Sequence, residues 1–198
     1  MTVNLTKGQQ ISLTKTDGRP LTLIRMGLGW QATPRQGLLA RFMPPRDVDL
    51  DASAVLFSGP HFLDVVYFNR LLSDDRAVEH SGDNRTGNTG PGPGTGDDDE
   101  FIRVNLSRVS PQVDQIVFVV NSFSGETFEA IENAYCRLVD DATGQELARY
   151  TLTEGGPHTA QIMAKVVRRG HTWNMVAIGR PESGRTFEDL LPAVARHV

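Results

Sequence analysis

Two acidic, oxygen-rich stretches lie on either side of one short hydrophobic stretch, and they hold most of the chemistry this chain can offer. The first reads Asp47-Val48-Asp49-Leu50-Asp51-Ala52-Ser53. The second opens with Gly82-Asp83-Asn84-Arg85-Thr86-Gly87 and closes with Asp97-Asp98-Asp99-Glu100. Their carboxylates, the Asn84 amide and the Ser53 and Thr86 hydroxyls are all hard oxygen donors. Carboxylates packed a few ångströms apart without a cation repel one another strongly. A fold that gathers these groups therefore gathers them around Ca²⁺ or, less well, Mg²⁺.

Asp47, Asp49 and Asp51 have the spacing that opens an EF-hand loop, but the remainder of that loop is missing. Ala52 stands where glycine is needed and Ser58 where a bidentate glutamate is needed. Further ligands must come from elsewhere, and residues 82–100 supply them. For either acidic run alone, a solvated polar face is the plainer explanation. Three aspartates on one face of a strand resist it, because aspartate is a poor strand former and the three repel with no packing gain. Glycine-rich backbone beside them adds carbonyl oxygens, which Ca²⁺ also uses.

Other chemistry is thin. The five histidines (His61, His80, His158, His171 and His197) lack zinc-site spacing and read as surface or structural residues. The glycine-rich stretch lacks the G-K-[ST] of a phosphate loop, and no G-x-S-x-G elbow occurs. Trp30 and Trp173 sit among hydrophobic residues and read as core. A single cysteine, Cys136, excludes an intramolecular disulfide framework and, on a strand, suits packing better than nucleophilic work.

The elements that must position these groups are mostly strands. Apolar positions recur at period two between Gly, Pro, Asp and Asn. Residues 11–13 and 21–26 flank a turn-forming set and predict a first hairpin. From Val48 to Phe57, Val48, Leu50, Ala52, Ala54 and Leu56 face one way, with Asp47, Asp49, Asp51 and Ser53 facing the other. Residues 62–68 read as a buried strand. Strands are also predicted at 101–106, 115–121, 134–140, 146–152, 161–168 and 172–179, with Gly144 at the φ > 0 position of a hairpin turn. Residues 127–134 read as a weak helix. A second helix starts at Thr186 as N-cap, and Pro192 is expected to end it after little more than a turn. Ten or so strands with little helix predict an all-β protein, a sandwich of two mostly antiparallel sheets.

The length, 198 residues, with 39% hydrophobic content, suits one globular domain over 1–198. The linker-like composition of residues 82–96 does not mark a boundary, because each half would be small for a stable core. A net charge of −4 offers nucleic acid no general attraction. No signal-peptide h-region and no run near the roughly 20 apolar residues of a membrane span is present, so cytoplasmic placement is expected.

The chain resembles the TerD family, the tellurium-resistance and general stress-response proteins of bacteria. The resemblance is carried by Leu5-Thr6-Lys7-Gly8, Gly27-Leu28-Gly29-Trp30, the Asp47–Ala54 stretch, Val66-Tyr67-Phe68-Asn69 and Gly82-Asp83-Asn84-Arg85-Thr86-Gly87. It continues through Asp98-Asp99-Glu100, Ile116-Val117-Phe118-Val119-Val120 and Thr143-Gly144-Gln145-Glu146-Leu147-Ala148-Arg149-Tyr150. It implies a single β-sandwich domain that binds two neighbouring Ca²⁺ ions in loops at one end. The ligands it implies are Asp47, Asp49, Asp51, Asp83, Asn84, Thr86, Asp98, Asp99 and Glu100, with Asp97 as an extra neighbour. Two features depart from the family's pattern. Gln31 stands where an acid commonly follows the Gly-Trp pair, and the spacer between Gly87 and Asp97 is longer, with Pro91 and Pro93 added.

The expected function is a non-catalytic Ca²⁺-binding stress-response protein, not an enzyme, that couples calcium to protein partners in a stress-response complex. Two other classes compete: a metal-dependent hydrolase using a two-ion acidic site, and an acidic scaffold that binds basic partners without metal.

Overall fold

The computed structural model describes residues 2–33, 48–84, 98–152 and 156–198. Among them are twelve strands and one α-helix, arranged as two six-stranded sheets. In chain order the strands are β1 (Val3–Asn4), β2 (Gln10–Ser12), β3 (Leu23–Ala32), β4 (Leu50–Ser58), β5 (His61–Val66) and β6 (Val78–His80). There follow β7 (Glu100–Asn105), β8 (Gln115–Ser122), β9 (Ile131–Asp140), β10 (Gln145–Thr151), β11 (Ala160–Arg169) and β12 (Thr172–Glu182). One sheet runs β1-β10-β9-β3-β7-β6, the other β2-β12-β11-β8-β4-β5. Every pairing is antiparallel except β1 with β10. The all-β sandwich expected from period-two patterning is the observed fold.

Alternation explains the main core. Met26, Leu28 and Trp30 of β3, Leu50, Ala52, Ala54 and Leu56 of β4, Ile102 and Val104 of β7, and Ile116, Phe118 and Val120 of β8 face one another between the sheets. A second core lies outside the β2-to-β5 sheet. There helix α1 (Phe187–Val194) lays Phe187, Leu190, Ala193 and Val194 over Val55, Phe57, Val117, Val119 and Ile162. The reverse side of β4 is therefore covered as well. Ser53, predicted to face outward with the aspartates, is buried.

Several expectations need correction. Residues 14–20 do form a tight turn, with Lys15 N–H donating to the Arg19 carbonyl at 2.7 Å. The flanking strands β2 and β3 nevertheless enter different sheets, because Leu13 and Leu21 are drawn into the core between them. Residues 127–134 make only a 3-10 turn, Phe128–Ala130, before β9 begins. Helix α1 continues past Pro192, since burial of Ala193 and Val194 offsets the one backbone bond that proline cannot make. β5 sits at a sheet edge, so Phe62 and Leu63 are exposed although predicted buried. The turn between β9 and β10 matches its prediction, with Gly144 at φ 73°.

Candidate metal centre

One end of the sandwich collects the acids. The start of β4, the segment after β6, the segment leading into β7 and the end of β8 all meet there, as antiparallel pairing requires. Carboxylate oxygens of Asp49, Asp51 and Asp83 lie within 4.8 Å of one another. Asp49 is half-buried, Asp51 is 3% exposed and Asp83 is exposed, so the group forms a graded mouth from core to solvent.

Glu100 forms the floor. Its side chain is wholly buried, Oε2 accepts the Ala52 N–H at 2.8 Å and Oε1 accepts the Asn84 N–H at 3.1 Å. β5 pairs with β4 only from Ala54 onward, so among the described residues no strand pairs with the Ala52 N–H and carbonyl on that side. Glu100 takes the N–H. His80 takes the carbonyl: its Nδ1 accepts the Gly82 N–H at 3.0 Å, which leaves the Nε2 proton for the Ala52 carbonyl at 3.1 Å. Among the five histidines expected to be surface or structural residues, His80 is thus part of the site's frame, and Nε2 also lies 3.5 Å from Glu100 Oε2. Its only sequence signal is a polar residue alternating with Val78 two places before Gly82.

Electrostatics follow from burial. Burial, then the charges of Glu100, Asp49 and Asp83, push the Asp51 carboxyl up to about 8, opposed by the Asn121 amide at 3.3 Å. Asp99 is pushed up to about 6, again chiefly by burial, although the Trp30 N–H donates to its Oδ2 at 2.9 Å. The groups acting on Asp51 are acids and one amide, so its own surroundings oppose ionisation more than they favour it. Oxygen-only donors around a buried, repelled carboxylate are the donor set that a hard divalent cation satisfies.

The remaining predicted residues divide clearly. Asn84 and Asp99 stand beside the cluster, the Asn84 Nδ2 donating to the Asp99 carbonyl at 3.2 Å. Asp98 does not join Asp49, Asp51 and Asp83. Arg137 Nε donates to its Oδ1 at 2.6 Å, and Arg25 Nη1 stands 3.3 Å from Oδ2, an ion-pair distance without hydrogen-bond alignment. Asp47, Thr86 and Asp97 lie outside the described residues. The Gln31 side-chain oxygen accepts the Asn133 amide at 2.8 Å. Asn121 went unpredicted because an asparagine ending an apolar strand looks like a turn residue. The Trp30 indole donates to the Val48 carbonyl at 2.9 Å and is core, as expected. Cys136 is core too, its thiol pushed up to about 12 by burial.

Comparison with known proteins agrees with the motifs. The family model for the TerD domain matches residues 1–192. The chain is 44% identical over 190 residues to the tellurium resistance protein TerZ of Serratia marcescens, covering 95% of this chain and 94% of that one. It is 33% identical to the stress response protein SCP2 of Bacillus subtilis (strain 168), covering 96% and 98%. A solved structure of a homologue of telluride resistance protein (TerD) from Streptomyces coelicolor A3(2) superposes with a TM-score of 0.69. That match covers 88% of this chain and 98% of the other at 20% identity, and so speaks to the fold.

Proposed function

The chain belongs to the TerD domain family, and on that premise we propose that it is a non-catalytic Ca²⁺-binding stress-response protein of the tellurium-resistance type. One observation carries the reading: a buried aspartate, Asp51, surrounded by the acids Asp49, Asp83 and Glu100. Asp49, Asp51 and Asp83 would hold one ion. A second neighbouring ion would draw on Asn84, Asp99 and Glu100 together with Asp47, Thr86 and Asp97. The bound cation neutralises the cluster and orders the segments around it, which changes the surface that a partner protein meets. One domain over 1–198 and cytoplasmic placement complete the reading. Among the described residues no helix is long and apolar enough to cross a membrane.

Calcium titration by calorimetry tests this, giving affinity and stoichiometry together. The expected result is saturable binding that Asp49→Ala with Asp51→Asn abolishes. Retention of full binding in that variant removes the cluster from the proposal. Absence of calcium heat with salt-sensitive capture of basic partners favours the scaffold instead. Phosphoester turnover that depends on the same aspartates promotes the hydrolase.

A further inference from the structure

Asp98 carries an acid of the motif yet engages two guanidinium groups, on the outer face of the sheet that contains β3, β7 and β9. Its side chain has no solvent exposure. It lies on Gly27, where any Cβ would fall inside the Asp98 carboxylate. Gly27 pairs with Arg137 of β9 and with Phe101 of β7, so the arginine that grips Asp98 comes from the next strand over. Arg137 is itself braced by Glu146 at 3.3 Å, and Arg25 by Asp141 at 3.0 Å.

From this anchor a continuous set of bonds leads to the cluster. The next residue, Asp99, donates its N–H to the Leu28 carbonyl at 2.8 Å and accepts the Trp30 N–H at 2.9 Å. The Asp99 carbonyl and the Glu100 carboxylate then hold Asn84 by its amide and its backbone N–H. Asn84 is covalently next to Asp83, the exposed member of the cluster.

We propose that Asp98 is a positioning residue: pinned on Gly27 by Arg137 and Arg25, it fixes residues 98–100 so that they hold Asn84 and set Asp83 against Asp49 and Asp51. Asp98 thus serves the site through its neighbours without contributing an oxygen to the ion. The contribution to ion binding rests on the calcium reading; the anchoring of residues 98–100 does not. Two physical requirements meet in the sequence Gly27-Leu28-Gly29-Trp30. Gly27 provides the seat for Asp98, and Leu28 and Trp30 provide the backbone groups that grip Asp99.

The test uses the full chain, with Asp98→Asn, Arg137→Met and Gly27→Ala made singly and the first two combined. Gly27→Ala retains every charge and removes only the seat. Amide hydrogen exchange is measured in EDTA, with calcium calorimetry alongside. Exchange at Trp30, Asp99 and Asn84 is expected to accelerate at least about tenfold in each variant, while amides of the β11–β12 pair stay protected, which separates local release from global loosening. Calcium affinity is expected to fall by between about 10- and 100-fold in each, as for residues that orient metal ligands. The double variant should be no weaker than the weaker single. Unchanged exchange at those three amides overturns the proposal. It is also overturned if Arg137→Met, which removes the hydrogen-bonded guanidinium and leaves only Arg25, binds calcium as tightly as the parent while Asp98→Asn loses an ion. If the parent protein shows no calcium heat, the calcium reading falls and the exchange measurement still decides the anchor.

Discussion

Glu100 accepts the backbone N–H of Ala52 at 2.8 Å, so a side chain from one sheet completes the edge of a strand in the other. The bond sits where β5 stops pairing with β4, and His80 completes the same residue's carbonyl. A buried acid in this position is both structural and chemical. It bridges the sheets, and it places negative charge beside Asp51.

Replacing Glu100 separates these roles. Glu100→Ala leaves the N–H groups of Ala52 and Asn84 without their acceptor; the buried Ala52 donor so stranded costs about 1–3 kcal/mol, and the part-buried Asn84 donor less. The expected outcome is a clear fall in the urea midpoint of metal-free protein, with weakened calcium binding as well. Glu100→Gln retains an acceptor oxygen and should recover part of the stability while losing the charge. Equal stability of Glu100→Ala and the parent would show that this bridge does not hold the sheets together.

Calcium should stabilise the fold by mass action. At a free concentration about 100 times the dissociation constant, one site adds about 2.7 kcal/mol. For a chain of this size each kcal/mol moves the melting temperature by roughly 2–4 °C, so a rise of about 5–10 °C over the EDTA sample is expected. Asp49→Ala with Asp51→Asn should remove the rise. Scanning calorimetry on both proteins, with and without millimolar calcium, checks it.

The raised carboxyl of Asp51 gives the proposed calcium binding a pH signature. Its carboxyl is pushed from the ordinary 3.8 up to about 8, and Asp99 to about 6. Between about pH 4 and 8 the metal-free fold therefore holds protons that the unfolded chain has released. Raising the pH through that window should lower metal-free stability, with the highest stability on the acid side. Calcium held by these groups requires the ionised carboxylates, so its apparent affinity should climb with pH, more steeply below about 6 than between about 6 and 8, and level off above about 8, with protons released on binding. Calorimetry in buffers of different ionisation enthalpy measures that release. A pH-independent affinity would exclude Asp51 from the cage.

Alternation made the sandwich legible, because Val48, Leu50, Ala52, Ala54 and Leu56 had to share a face whatever the rest of the chain did. Spacing likewise singled out Asp49 and Asp51, and the Gly-Asp-Asn run singled out Asp83. What stayed hidden were contacts between segments far apart in sequence. Nothing local distinguishes Asp98, gripped by Arg137, from Asp99, gripped by the Trp30 backbone. His80 looked ordinary because its task is to serve a carbonyl left bare where another strand ends. The divergence of β2 from β3, with Leu13 and Leu21 entering the core between the sheets, is something a turn signal cannot encode.

A last prediction concerns the second glycine of the Gly-Leu-Gly-Trp run. Gly29 lies under the Tyr135 ring, and a Cβ there would come 2.5 Å from the ring's Cζ. The ring has little freedom to retreat, because Tyr135 is paired with Gly29 across the β3–β9 ladder and the Arg149 guanidinium stacks 4.1 Å from its centroid. Gly29→Ala must therefore either displace the ring or bow β3 beside Trp30, whose N–H reaches Asp99 and whose indole reaches Val48. Overpacking of this kind costs about 1–3 kcal/mol. The first route predicts rescue: Tyr135→Ala removes the obstacle, so Gly29→Ala should cost little in that background, and the two changes should be markedly non-additive. Chemical denaturation of the four proteins in this cycle measures the coupling. Strict additivity would mean that β3 bows instead, and that strain reaches Asp99 through Trp30.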